Sequence, residues 1–114
     1  MADAKKQQRA EEVLRELAGE FMVRNSNKTS LITVTGIDYA PDGKRVTILL
    51  SVLPTERTEA ALDFANRQRE LFREFLKKKS RLRIIPGIRF ERDKGEENRQ
   101  RVTELLAGAD EPGS

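Results

Sequence analysis

The chain has neither cysteine nor histidine among its 114 residues. Without cysteine there are no disulfides, thiolate metal sites or cysteine nucleophiles. Without histidine the commonest general base at neutral pH and the other frequent zinc ligand are gone as well. Catalysis would have to rest on carboxylates or lysines. The carboxylates Asp38, Asp42, Glu56, Glu59 and Asp63 are scattered, with no metal-ligand spacing and no base beside them. They read as turn, capping and solvating groups, so no catalytic residue, metal or cofactor is assigned. Long apolar runs are missing too: nothing approaches the roughly 20 apolar residues of a membrane span. The opening MADAKKQQRAEE has basic residues with no apolar stretch behind them, so the expectation is a soluble, cytoplasmic protein with no membrane contact. Aromatics are 5% of the chain, and Phe64, Phe72, Phe75 and Phe90 fall at core positions. Only Tyr39, at a strand end, is expected as a surface ring, so a base-stacking aromatic platform is not expected.

What the chain has in quantity is charge, at 36% of residues, with a net balance of only +3. That balance is unevenly spread. Between Asn66 and Arg92, NRQRELFREFLKKKSRLRIIPGIRFER, ten Lys and Arg stand against three Glu, a local balance of +7, which leaves the remaining residues at −4. Such asymmetry is the electrostatic footprint of a protein that docks on phosphate.

By length the chain is one domain, 1–114, with an ordered core over about 9–106 and a mobile tail at 108–114. From Lys5 to Val23 the apolar residues Ala10, Val13, Leu14, Leu17, Ala18, Phe21 and Met22 step along one helical face. Asn25 to Ser30 is a polar linker by composition. Leu31 to Tyr39 reads as a strand, with Ile32 and Val34 on one face and Thr33, Thr35 and Ile37 on the other. Ala40-Pro41-Asp42-Gly43-Lys44 is a hairpin turn, because proline presets φ and Gly43 can take a positive one. The return strand, Arg45 to Leu53, places Val46, Ile48, Leu50 and Val52 inward. After Pro54, Thr55 or Thr58 can cap a helical stretch with the apolar seam Ala61, Leu62, Ala65, Leu71, Phe72, Phe75 and Leu76. The seam keeps phase across the polar gap at Gln68, so one long helix and two short ones are equally compatible with it. Leu82 and Ile84 alternate with Arg81 and Arg83. Ile88 to Arg92 is a third strand with Ile88 and Phe90 inward, and Glu96 to Ala107 a short helix anchored by Val102, Leu105 and Leu106. The fold class is therefore α+β, in the order α-β-β-α(α)-β, with helices on one face of a three-stranded sheet.

That order, with ITVTGIDYAPDGKRVTILLSVLP, SRLRIIPGIRFERD and the following RVTELL, resembles the ribosome-binding factor A family, and the order alone resembles a type II KH domain. The resemblance runs from about Arg9 to Leu106. It implies a non-catalytic factor that binds 16S rRNA on the immature small (30S) ribosomal subunit, assists the maturation of its ends, and supports growth in the cold. A typical KH domain places a G-x-x-G loop between its paired helices; this chain has no two glycines three apart. The family replaces that loop by an Ala-x-Gly kink, and the matching positions here are Gln68-Arg69-Glu70. Nothing in the sequence demands more than a monomer. The expected RNA-binding residues are Arg67, Arg69, Arg73, Lys77, Lys78, Arg81, Arg83 and Arg89, pointing away from the apolar seam. Lysines at a helix end also suit the helix dipole, but the cationic excess persists into the following turn and strand, which a dipole does not explain. Two rival readings use the same residues: a KH-like binder of another RNA, and a module whose basic face meets an acidic protein.

Overall fold

A computed structural model describes residues 2–25 and 30–110. In chain order it contains α1 (Ala2–Asn25), β1 (Leu31–Tyr39), β2 (Arg45–Leu53), a 3-10 turn (Thr55–Arg57), α2 (Thr58–Arg67), α3 (Arg69–Lys79), β3 (Gly87–Arg92) and α4 (Lys94–Asp110). The strands form one sheet in the order β1-β2-β3. The β1–β2 pair is an antiparallel hairpin and the β2–β3 pair is parallel, because α2 and α3 carry the chain back before β3 begins. This is the α+β architecture expected. The linker assigned to Asn25–Ser30 falls largely on 26–29, and the end of the tail on 111–114, outside the described residues. No helix among the described residues is long and apolar enough to cross a membrane.

The core forms between the sheet and α1, α2 and α3. Central β2 contributes Val46, Ile48 and Leu50, β3 contributes Ile88 and Phe90, and the helices contribute Leu14, Ala18, Phe21, Met22, Ala65, Phe72 and Leu76. Phe72 joins the layers: its ring lies 5.2 Å from Phe21 on α1 and 5.9 Å from Phe90 on β3. Each such side chain, fully buried, contributes roughly 1.5–3 kcal/mol of transfer free energy.

Turn chemistry is as the residues dictate. Gly43 takes φ +71°, its N–H donates to Ala40 O at 2.9 Å, and the Lys44 N–H donates to Asp42 Oδ1 at 2.9 Å.

Several local expectations are corrected. Ile37 packs on the core face together with Ile32, Val34 and Tyr39, because the register shifts between Val34 and Gly36. One extra residue, Thr35, resets the period-2 alternation. Gly36 then lies under Leu49, whose Cδ1 would be 3.2 Å from any Cβ placed there. Tyr39 is half-buried rather than exposed, and burial, with the Glu11 charge second, raises its pKa. Neither Thr55 nor Thr58 caps α2: the Thr58 hydroxyl donates backward to Thr55 O at 2.6 Å. Leu71 leaves the seam at 58% exposure. The alternation noted at 81–84 lies in a loop, residues 80–86. There Leu82 and Ile85 meet the core, while Ile84 faces solvent.

The last helix departs furthest from expectation. It runs from Lys94 to Asp110, and Val102, Leu105 and Leu106 are all exposed, so they anchor nothing in the described body. Among the described residues, α1 to α3 cover the sheet. What ties α4 down is Asp93. Its backbone N–H donates to Leu50 O at 2.9 Å. Its carboxylate accepts from the Thr35 hydroxyl at 2.6 Å and from the Glu96 N–H at 3.0 Å. The Thr35 hydroxyl first and the Glu96 N–H second hold the Asp93 carboxyl below its usual pKa.

Candidate nucleic-acid interface

The chain breaks between α2 and α3 at Gln68, which has φ −91° and ψ 2°. This bridge conformation is open to any L-residue, so the two-helix alternative is realised without glycine. Gln68 stays bonded on both sides: its N–H reaches Ala65 O at 3.0 Å, and its own carbonyl accepts from the Phe72 N–H at 2.9 Å. The break sets Arg67 and Arg69, both exposed, on either side of a tight corner.

From that corner Arg69, Arg73 and Lys77 follow at spacings of four, a single row along α3. Arg73 is the brace of the region. Its guanidinium donates to Pro86 O and to Ile85 O, both at 3.2 Å, and pairs with Glu70 at 3.2 Å. The loop after α3 is thereby strapped back along the helix. Its other end is fixed by Ser80, whose hydroxyl donates to Leu76 O at 2.6 Å and accepts from the Leu82 N–H at 3.4 Å. On this strapped loop Arg81 and Arg83 are exposed. Lys78 lies about 100° round the helix from Lys77, on the outer side.

Asn66, one residue before Arg67, presents its amide to β3. It donates to Phe90 O at 3.1 Å and accepts from the Phe90 N–H at 2.9 Å. This two-way pairing locks the end of α2 to the strand beneath it.

Arg89 alternates with the inward Ile88 and Phe90 and pairs across the sheet with Thr47, so it leaves from the face opposite the helices. A cleft of about 580 Å³ at the end of the sheet nevertheless brings Arg89 together with Arg69 and Arg73, and with Arg45 of β2. The eight expected cations thus form one row and loop (Arg69, Arg73, Lys77, Arg81, Arg83), two flanking positions (Arg67, Lys78) and one approach from the far face (Arg89). Lys77 pairs with Glu74 at 3.1 Å and Arg89 with Glu91 at 3.1 Å. Exposed pairs of this kind contribute about 0–1 kcal/mol, so a phosphate can displace them. Arg67, Arg69, Lys78, Arg81 and Arg83 have no carboxylate partner among the described residues.

Residues 5–106 match the family model for ribosome-binding factor A. The chain belongs to the ribosome-binding factor A family. A ribosome-binding factor A from Thermodesulfovibrio yellowstonii is 29% identical over 108 residues, covering 93% of this chain and 92% of that protein. Another from Thermotoga petrophila is 35% identical over 81 residues, covering 69% of this chain and 61% of the Thermotoga protein's length. The crystal structure of ribosome-binding factor A from Thermus thermophilus superimposes with a TM-score of 0.67 at 21% identity, covering 75% of this chain and 92% of that one. A homology model of the Thermus thermophilus factor, fitted into a cryo-EM map of a 30S complex, superimposes with a TM-score of 0.64 at 20% identity, covering 74% of this chain and 91% of that one.

Within this ribosome-binding factor A fold, one cation escapes a reading by sequence alone. Arg45 opens β2, far from the basic stretch in the chain, and reaches the cleft because β2 pairs in parallel with β3, setting Arg45 opposite Gly87. Its signal in the sequence is an arginine next to a turn, which is common and says nothing of its neighbours.

Proposed function

We propose that this chain binds the immature small ribosomal subunit through 16S rRNA and assists the maturation of that RNA, including in the cold. In this reading it acts as a single type II KH-like domain over 1–114, a monomer in the cytoplasm. The function is binding, not catalysis: the family is one of ribosome-binding factors. The Thermus factor's 30S complex supports the small subunit as the partner.

The observation that carries the reading is the set of uncompensated cations. Arg67, Arg69, Lys78, Arg81 and Arg83 lie along the α2–α3 corner, the end of α3 and the strapped loop, with Lys77, Arg89 and Arg45 available by exchange of weak surface pairs or none. Arg73 serves chiefly to hold the loop. Docking is electrostatic, with modest sequence readout. If about five side chains each neutralise a phosphate, affinity falls roughly a hundredfold between about 50 and 200 mM salt.

The test is the combined reversal Arg67→Glu, Lys77→Glu, Lys78→Glu and Arg81→Glu. All four side chains are exposed, so the variant still folds and unfolds cooperatively, with a modest loss of stability from reversing two charges at the end of α3, while cosedimentation with purified small subunits is lost. Unchanged cosedimentation refutes the reading. Salt-steep binding to an acidic protein but not to rRNA would favour the protein-interaction rival.

A further inference from the structure

The loop between α3 and β3 is built in an unusual way for a surface connection. Both ends are pinned, at Ser80 through Leu76 O and at residues 85 and 86 through the Arg73 guanidinium. Leu82 and Ile85 pack against the core, and Pro86 is fully buried. Between these anchors stands Ile84, at 68% exposure. Single exposed apolar residues are ordinary on a protein surface; this one stands on a loop that is fixed at both ends and flanked by cations. The neighbours of Ile84 in the loop, Arg81 and Arg83, are exposed cations with no carboxylate partner among the described residues.

We propose that Ile84 is an apolar wedge that seats against an unpaired base of the RNA, while Arg81 and Arg83 hold the phosphates on either side of it. This rests on the RNA-binding reading and adds to it a contact that is not electrostatic. The occupant is RNA rather than protein because the surroundings of Ile84 are cationic and uncompensated. An unpaired base is the element of folded RNA that offers an apolar surface to a side chain, since bases in a helix are stacked on both faces. Apolar side chains used in this way lie against or between bases, and the cations around them fix register on the backbone. The rigidity given by Arg73 lowers the ordering cost of presenting the side chain.

The two kinds of contact separate in a salt titration. Phosphate contacts set the slope of log affinity against log salt, whereas an apolar contact displaces the line without tilting it. The experiment uses the full chain and purified small subunits, comparing wild type, Ile84→Ser, Ile84→Leu and Arg83→Ala. Ile84→Ser weakens binding about tenfold at every salt concentration, as expected for exposing a largely buried aliphatic side chain. Its slope stays that of wild type. Ile84→Leu recovers most of the affinity, and Arg83→Ala instead flattens the slope by about 0.7. Chemical probing of the 16S rRNA shows a small set of unpaired nucleotides protected by wild type and released by Ile84→Ser. Unchanged affinity for Ile84→Ser overturns the wedge while leaving the electrostatic reading standing, as does a change in slope like that of Arg83→Ala. Wild-type binding that is absent or insensitive to salt overturns both.

Discussion

Two helices of this protein, α3 and α4, look alike in the sequence and behave differently in the fold. Each mixes charged residues with a few apolar ones at helical spacing. In α3 the seam closes on the core, with Phe72 and Leu76 wholly buried, whereas the corresponding residues of α4, Val102, Leu105 and Leu106, are exposed. Helix α3 is held along its length by the sheet, α1 and the strapped loop. Helix α4 is held at its first turn, by Asp93. Periodicity identifies residues that share a side of a helix; whether anything lies against that side depends on where the chain has travelled before and after. The difference also divides the cations. Those of α3 stand on a base buried against the sheet and α1.

The contrast can be broken most severely at Phe72. Truncation by Phe72→Ala removes the ring that links α1, α3 and β3 and costs about 3–5 kcal/mol, measured by urea unfolding. A loss below about 1 kcal/mol would mean that α3 is no better anchored than α4. A smaller effect is expected at Asp93, the tether of α4. Asp93→Ala removes an N-cap and the Thr35 bond, costing about 1–2 kcal/mol. Because the folded carboxyl titrates below its ordinary range, this contribution is fully present above that range and is lost as pH falls through the folded value. The stability difference between wild type and Asp93→Ala therefore shrinks in acid, and a difference that persists unchanged below about pH 3 contradicts the assignment. The smallest effect belongs to the far end of α4. Val102→Ser with Leu105→Ser should leave the unfolding midpoint within about 0.5 kcal/mol of wild type. A loss comparable to Phe72→Ala would show that α4 packs as α3 does.

The elements were largely legible in the residues, since β-branched runs, the Pro41–Gly43 turn and the α1 seam each carry a strong local signal. What escaped depends on partners distant in sequence or on conformations that leave no mark. Gln68 breaks a helix in a region of φ and ψ that any residue adopts, so no glycine or proline announces it. The bulge at Thr35 is stabilised by Asp93, 58 residues later, and moves Ile37 to the other face of its strand. Arg45 joins the cleft through a parallel strand pairing. For the candidate interface, the charge count over 66–92 marks a region, but it does not distinguish Arg73, spent on the carbonyls of its own loop, from Arg81 and Arg83, which have no carboxylate partner among the described residues.

The pairing of Asn66 with Phe90 reaches beyond local bracing. A sheet border with vacant backbone groups invites strands from other molecules, a common route to aggregation. By occupying both the N–H and the carbonyl of Phe90, one amide side chain takes the bonds an incoming strand would need at the middle of β3. The same asparagine that fixes the corner beneath Arg67 thus also closes the free border of the sheet at Phe90.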